Sequence, residues 1–380
     1  MKIVNVETFL VAPRWCFVRI DTDEGITGWG EPVVEGRAHT VATAVHEFAD
    51  YLIGQDPLRI EQHWQALTKG GFYRGGPVLS SAVAGVDQAL WDIAGKALDV
   101  PVYQLLGGAV RDRIRAYAHV KVEAVDLAAQ ARRHVDAGFT AVKVAAAVQD
   151  RALGTPRAVE QTVDAVATIR EAVGDEVDVA VVLHGRFTLA ASRRLLPLLE
   201  PLTPLFVEEP VVPELTSRLG SLTASTVVPI ATGERLYSRW DFAPALEAGV
   251  AVIQPDLSHA GGISEVRRIA ALAEVYDALL APHCPLGPIA LAACLQVGFA
   301  TPNLLIQEQI ISSHQYGPSR VLDYLVDPSV FAFVEGHFSR PMGPGLGIEV
   351  DAAAVARAAA AGHRWRTPQA CRDDGSRAEW

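Results

Sequence analysis

Short apolar runs recur along the second half of this chain, and each of the last six ends on a residue that apolar packing does not explain. They are VDVAVVLH (177–184), LFVEEP (205–210), VVPIATGE (227–234), AVIQPD (251–256), ALLAPH (278–283) and LLIQEQ (304–309). Their polar ends, His184, Glu208, Glu234, Asp256, His283 and Glu308, follow one another at intervals of 24, 26, 22, 27 and 25 residues. A strand, a crossover helix and two loops occupy about that length. Near-continuous Val, Ile and Leu suit strands buried on both faces. The stretches between them, such as SEVRRIAALAEVYD (264–277), have helical spacing. Strand and helix in alternation predict a parallel sheet, and charged groups at every strand end favour a closed barrel with its chemistry at that rim. Two earlier runs, IRAYAHV (114–120) and FTAVKVA (139–145), bring the count to eight strands with seven helices between them. The fold class predicted is α/β, a modified (β/α)7β barrel of the triose-phosphate-isomerase type.

The preceding residues have a different rhythm. Residues 2–12 and 16–31 read as strands, the second broken by the turn Asp23-Glu24-Gly25. Helical patterns cover 39–53, 58–69 and 79–98, the last apolar enough to lie between two bodies of the protein. The Gly-rich GGFYRGGP (70–77) lacks the Gly-Lys-Ser/Thr of a phosphate loop. The predicted organisation is an α+β capping domain over 1–112, the barrel over 113–324, and a Pro/Gly-rich segment, 325–380, that returns to the cap.

Composition narrows the function. Half the residues are apolar, which is ample for a large core, and a net charge of −11 argues against a nucleic-acid partner. The amino terminus lacks a signal-peptide core and no run is long enough to span a membrane, so no membrane role is expected. The four cysteines show no metal-type pairing and read as free thiols in a reducing cytoplasm. A homo-oligomer is expected.

The strand ends carry the chemistry. Glu208 and Glu234 close adjacent strands, so their carboxylates converge and need a cation or a proton between them. A hard divalent ion such as Mg2+ takes such oxygens. The alternative is that each glutamate pairs with a nearby Arg or Lys, Arg235 being one candidate. Asp256 and His283 close the next pair of strands, and a carboxylate beside an imidazole fixes its tautomer and raises its basicity. His184, across the barrel, could serve as an acid on the opposite face of a substrate.

Several long stretches then resemble one family. TDEGITGWGEPV (22–33), GFYRGGP (71–77), DQALWDIAGK (87–96), HGR (184–186), FVEEP (206–210), GER (233–235), VIQPDLSHAGG (252–262), APHCPLGPIALAACL (281–295) and QEQ (307–309) are similar to the enolase superfamily, mandelate racemase subgroup, nearly end to end. The resemblance implies a sugar-acid dehydratase. Glu208 and Glu234 match ligands of one Mg2+ ion. His283, backed by Asp256, matches the base that removes the proton α to the substrate carboxylate. His184 matches the acid that helps the β-hydroxyl leave, and Glu308 a group that hydrogen-bonds the developing enolate. Arg14, Trp15, Tyr73, Arg74 and Lys143 fall where such enzymes contact a small sugar acid.

The departures from the family matter equally. Its first metal ligand, an Asp two residues before the catalytic His, is here Val182. Residues i and i+2 of a strand share a face, so Val182 points where a ligand belongs. Asp178 shares that face but lies roughly 13 Å back along the strand. The expected ion is therefore weakly bound. Ala145 stands where racemases of the family place a lysine, which disfavours racemisation. The remaining alternative is a catalytically silent or metal-independent relative that binds sugar acids.

Overall fold

The computed structural model describes residues 1–122, 126–146, 155–313, 321–369, 371–372 and 374–378. The cap begins with an antiparallel sheet, β1 (Ile3–Val11), β2 (Trp15–Thr22) and β3 (Thr27–Gly30), in that order. Gly25 turns the second hairpin at φ +79°, a conformation that suits glycine. Helices α1 (Ala38–Leu52), α2 (Ile60–Lys69) and α3 (Gly76–Ala97) follow. Helix α3 is buried along most of its length because its residues are small. A Cβ built on Gly30 would lie 1.9 Å from the Gly85 carbonyl oxygen, so this strand and helix touch backbone to backbone. Short β4 (Arg113–Arg115) leads out of the cap.

The second unit is the parallel sheet β5 (Ala118–Val120), β6 (Ala141–Ala145), β7 (Asp178–Val182), β8 (Val207–Glu208), β9 (Ile230–Thr232), β10 (Val252–Ile253) and β11 (Leu279–Leu280), neighbours in chain order. Residues 304–307 close it as an eighth member. Leu304 bridges Leu280 and Gln307 bridges Ala116, both in parallel. Helices at Leu127–Asp136, Pro156–Val173 and Leu189–Leu199 begin at side-chain caps, Asp126, Thr155 and Thr188, which accept from backbone N–H groups of the first turn. Between β8 and β9 the connection is only a 3-10 turn, Pro213–Arg218, and one helical turn, Gly220–Thr223.

The barrel interior is layered. Tyr117, Ala141, Ala180, Phe206, Ala231, Val252, Ala281 and Ile306, one from each strand, form a separate buried apolar cluster. Burying a side chain the size of Phe206 contributes about 1.5–3 kcal/mol, so this layer is a stabilising floor. Two residues further on, toward the carboxyl ends, the same face carries His119, Lys143, Val182, Glu208, Gln254, His283 and Glu308. That layer is polar, with Val182 as its apolar exception.

The cap docks above this layer. Gln88 of α3 donates to the Leu257 carbonyl at 2.8 Å, and Asp87 accepts from the Ser264 N–H at 2.9 Å. Trp64 of α2 donates to the Gly261 carbonyl at 2.9 Å. Glu31 accepts from the N–H groups of Gly287 (2.7 Å) and Ala290 (2.9 Å), at the start of the helix Pro288–Ala300. All these contacts fall just beyond β10 and β11, which fixes the cap over Asp256 and His283.

The last segment divides between two places. Leu346 donates to Asp92 of α3 at 2.9 Å, and His363 and Thr367 reach the Pro13 and Glu35 carbonyls of the cap. Two further strands, β12 (Phe333–Val334) and β13 (His337–Ser339), form a hairpin whose second strand pairs instead with β4, at the opposite end of the barrel. Residues 333–339 therefore do not return to the cap. Their phenylalanines stack with each other and with Phe139, and hold them there. No helix among the described residues is long and apolar enough to cross a membrane.

Candidate active site

His283 and Asp256 form a close pair, Nδ1 to Oδ2 at 2.8 Å. The other carboxylate oxygen of Asp256 accepts from the Ser258 N–H at 2.6 Å, which locks the carboxylate. His283 Nε2 faces Glu234 (3.6 Å) and Glu308 (4.0 Å). Burial opposes a charge on this ring, but Glu234, Glu308 and Asp256 together outweigh it and raise its pKa well above the usual imidazole value. His184 is the opposite case. Burial, then the positive charges of Lys143, Arg186, His283 and Arg235, lower it to about 3, so the ring is neutral. It sits at φ +49°, on the first turn after β7, where the chain leaves the sheet.

Lys143 lies at the centre. It is 2% exposed, and its ammonium reaches Glu208 at 2.6 Å, Glu308 at 3.0 Å and the Tyr117 hydroxyl at 3.3 Å. Burial works against its charge, and Glu208 and Glu308 more than restore it, leaving its pKa raised. Glu308 is held on its far side by the Cys284 N–H (2.9 Å) and lies 3.1 Å from His119 Nε2. Burial pushes this carboxyl up, yet Lys143, His283 and His119 bring it well below its ordinary pKa. It is therefore ionised and only accepts hydrogen bonds. Glu308 thus lies between Lys143 and His119.

The two expected metal ligands have different surroundings. Glu208 accepts from Lys143 and from Gln254 (2.7 Å) on one oxygen, and its other oxygen is buried without a hydrogen-bond partner. Glu234 also has one such oxygen. It reaches the site because Gly233, at φ +143°, turns the end of β9 where a Cβ would strike Phe242 and the Gln254 N–H. Burial first, and then the neighbouring Glu209, raise the pKa of Glu234 well above that of an ordinary carboxyl. Arg235 does not pair with Glu234. It forks onto Glu209 at 2.9 and 2.8 Å. Val182, 3% exposed, is in register with Ala145 on one side and Glu208 on the other, and belongs to none of the apolar clusters. Asp178 pairs with Arg115 at 2.7 Å at the far end of the strand.

These groups do not fit a divalent ion caged by three carboxylates. Two orphaned oxygens are offered, but the third side is hydrocarbon and an ammonium already occupies one face of Glu208. Among the described residues no group of three His, Cys, Asp or Glu side chains has metal-holding geometry.

The expected substrate-contact residues divide. Lys143 is in the cluster. Arg14 is at its margin, donating to the Pro285 carbonyl at 3.2 Å and paired with Glu35 at 3.3 Å. Trp15 is 1% exposed and packs on Phe17 and Tyr324, so it is a core wall. Tyr73 is 88% exposed, and Arg74 lines a separate surface cleft with Trp64, Tyr237 and Trp240. Neither is brought to the cluster, because the loop that carries them turns outward. Sequence reasoning passed over Gln254, although it lies two residues before Asp256 and so on the same face. It also passed over His259, which lies between Asp256 (3.7 Å) and the cap residue Glu35 (3.8 Å).

A capped, closed parallel barrel with an Asp–His pair and converging carboxylates at its strand ends is an enolase-type catalytic architecture. Residues 6–107 match the mandelate racemase/muconate lactonizing enzyme N-terminal domain, and residues 126–354 the enolase C-terminal domain-like family. The chain belongs to the enolase superfamily, in its mandelate racemase subgroup. It is 50% identical, over the whole of both chains, to D-galactonate dehydratases of Variovorax paradoxus and Pectobacterium atrosepticum. It is also similar, at 36% identity and TM-score 0.91 over the whole of both chains, to an enolase of Agrobacterium radiobacter solved with Na and L-malate bound. Identity of this extent with dehydratases makes the chain an enzyme of the carbon–oxygen lyase class.

Proposed function

We propose that the chain dehydrates a sugar acid of the galactonate type. The observation that carries this reading is the Asp256–His283 pair at 2.8 Å, aimed into a cluster that also holds His184, Lys143 and Glu308. The C–H bond α to the carboxylate breaks, its proton passes to His283 Nε2, and its electron pair moves into the carboxylate as an enediolate. The electrons then return to expel the β-hydroxyl, which takes the proton now held by His283 and leaves as water. The resulting enol rearranges to a 2-keto-3-deoxy acid. Asp256 keeps the hydrogen of His283 on Nδ1, so that Nε2 is the accepting atom. Lys143, fixed by Glu208 and Glu308, places a positive charge in the cluster, and fixed charge of that sign stabilises developing negative charge. Mg2+ would be held only weakly, by Glu208 and Glu234, and would supply positive charge opposite the substrate carboxylate.

A second reading of the same chemistry assigns the two histidines the other way. His184 is neutral and able to accept a proton, whereas His283 holds one and is able to give it.

The test is to incubate the protein with D-galactonate in deuterated water and follow α-proton exchange and dehydration by NMR. Loss of exchange in His283→Asn, with exchange kept in His184→Asn, supports the first reading. The reverse pattern selects the second. Failure of the native protein to turn over any of a panel of sugar acids that it binds would leave a binding protein of the same fold.

A further inference from the structure

We propose that the Lys143 ammonium, in a layer where Val182 supplies no oxygen, takes the place of a divalent cation in this barrel. The cluster carries three carboxylates, Glu208, Glu234 and Glu308, below a docked cap. Carboxylates held close repel one another unless positive charge lies between them. Lys143 is the buried permanent cation in their midst. Its three ammonium hydrogens have three acceptors: Glu208 Oε2 at 2.6 Å, Glu308 Oε1 at 3.0 Å and the Tyr117 hydroxyl at 3.3 Å. The lysine therefore ties the second strand of the barrel to the fourth and the last, which is the bridging work of a metal ion. Register explains why it can settle there. Val182 lies directly beside Glu208, and Ala145, two residues beyond Lys143, lies beside Val182. Neither supplies an oxygen that would draw an ion into this corner or compete for the ammonium. An ion approaching Glu208 must displace the ammonium from one oxygen or bind the other while facing a like charge.

This inference rests on the reading of the cluster as the reaction centre, but its test needs no substrate, so the two can fail separately. The native protein and Lys143→Met are stripped with a chelator, checked for folding by circular dichroism and titrated with Mg2+ by calorimetry. A residue in contact with a metal ligand typically changes affinity by about 10–100-fold. Lys143→Met, which removes the competing charge and keeps the hydrocarbon, is expected to bind Mg2+ at least roughly tenfold more tightly than the native protein. Equal or weaker binding by folded Lys143→Met overturns the proposal. If Lys143→Met does not fold, Lys143→Gln, which removes the charge and keeps a donor, is titrated in its place: roughly tenfold tighter binding supports the proposal, and equal or weaker binding overturns it.

Discussion

Asp256→Asn is the most informative single change, because the structure dictates which way the new amide must face. Asp256 uses one oxygen for the Ser258 N–H (2.6 Å) and the other for His283 Nδ1 (2.8 Å). A backbone N–H can only donate, so the amide oxygen of Asn stays with Ser258. The NH2 group is then turned toward His283. Two donors cannot share a hydrogen bond, so Nδ1 must give up its hydrogen and the neutral ring carries it on Nε2. The atom meant to accept the substrate proton is thereby blocked. Flipping the amide would restore the tautomer but leave the buried Ser258 N–H against an NH2. That costs about 1–3 kcal/mol, roughly 5–150-fold in the productive population. Loss of the carboxylate charge adds to this, and general base catalysis is worth roughly 10²–10⁴-fold in all. Exchange of the α-proton with solvent deuterium should fall within that range, while circular dichroism shows a folded protein, since the two side chains have the same shape. Unchanged exchange in folded Asp256→Asn would refute the role of Asp256 in setting the tautomer of His283.

Two pH dependences follow from buried groups. His283 has a pKa raised above its unfolded value of about 6.5. If it is the base, its active form appears only as pH climbs, so exchange should rise on the alkaline side of neutrality, and a rate falling there would favour His184. The stability contributed by His283 has the opposite slope: it is fully present below about pH 6.5 and lost as pH rises through the folded pKa. Glu31 is raised to about 8, chiefly by burial, against two helix N–H groups that lower it. The folded chain therefore holds a proton that the unfolded chain has lost above about pH 4.3, and stability falls between there and about pH 8 by up to the order of 5 kcal/mol. Glu31→Gln loses one acceptor, about 1–3 kcal/mol, but also this slope. Melting curves of the two proteins should converge as pH rises, and parallel curves would disprove the assignment.

Much of this molecule was legible because the barrel repeats one physical demand. Each parallel strand is apolar on both faces until it reaches the rim, so the first unexplained polar residue marks the strand end. That rule located His184, Glu208, Glu234, Asp256, His283 and Glu308 without any view of the fold. It could not give their partners. Whether Arg235 paired with Glu234 or Glu209 depended on positive backbone angles at Glu209 and Gly233, which spacing along a strand does not encode. The loop 70–77 misled for a related reason: Tyr73 and Arg74 look like recognition residues, yet the direction of an exposed loop is set by its own glycines and not by a period. Residues 333–339 were placed on the wrong end of the barrel because short strands with few residues have little pattern to read.

Val182 shows where sequence and structure depend on each other. The sequence alone marks an absent oxygen, and absence has no chemistry of its own. The structure shows what stands nearby: Lys143, 2.6 Å from Glu208 and 3.0 Å from Glu308. Glu208 and Glu308 could not sit together in this buried layer without compensation, because each unpaired buried charge costs several kcal/mol. Loss of a single ligand would therefore be expected to empty or dismantle the layer. Here it persists, and Glu208 keeps both a lysine and Gln254 on one oxygen. On the proposal above, the positive charge between Glu208 and Glu308 comes from a covalently attached cation, which, unlike a metal ion, cannot be removed by a chelator. Treating the native protein with chelator should therefore leave its melting temperature unchanged, and a large drop would mean that a bound ion, and not Lys143, holds the layer together.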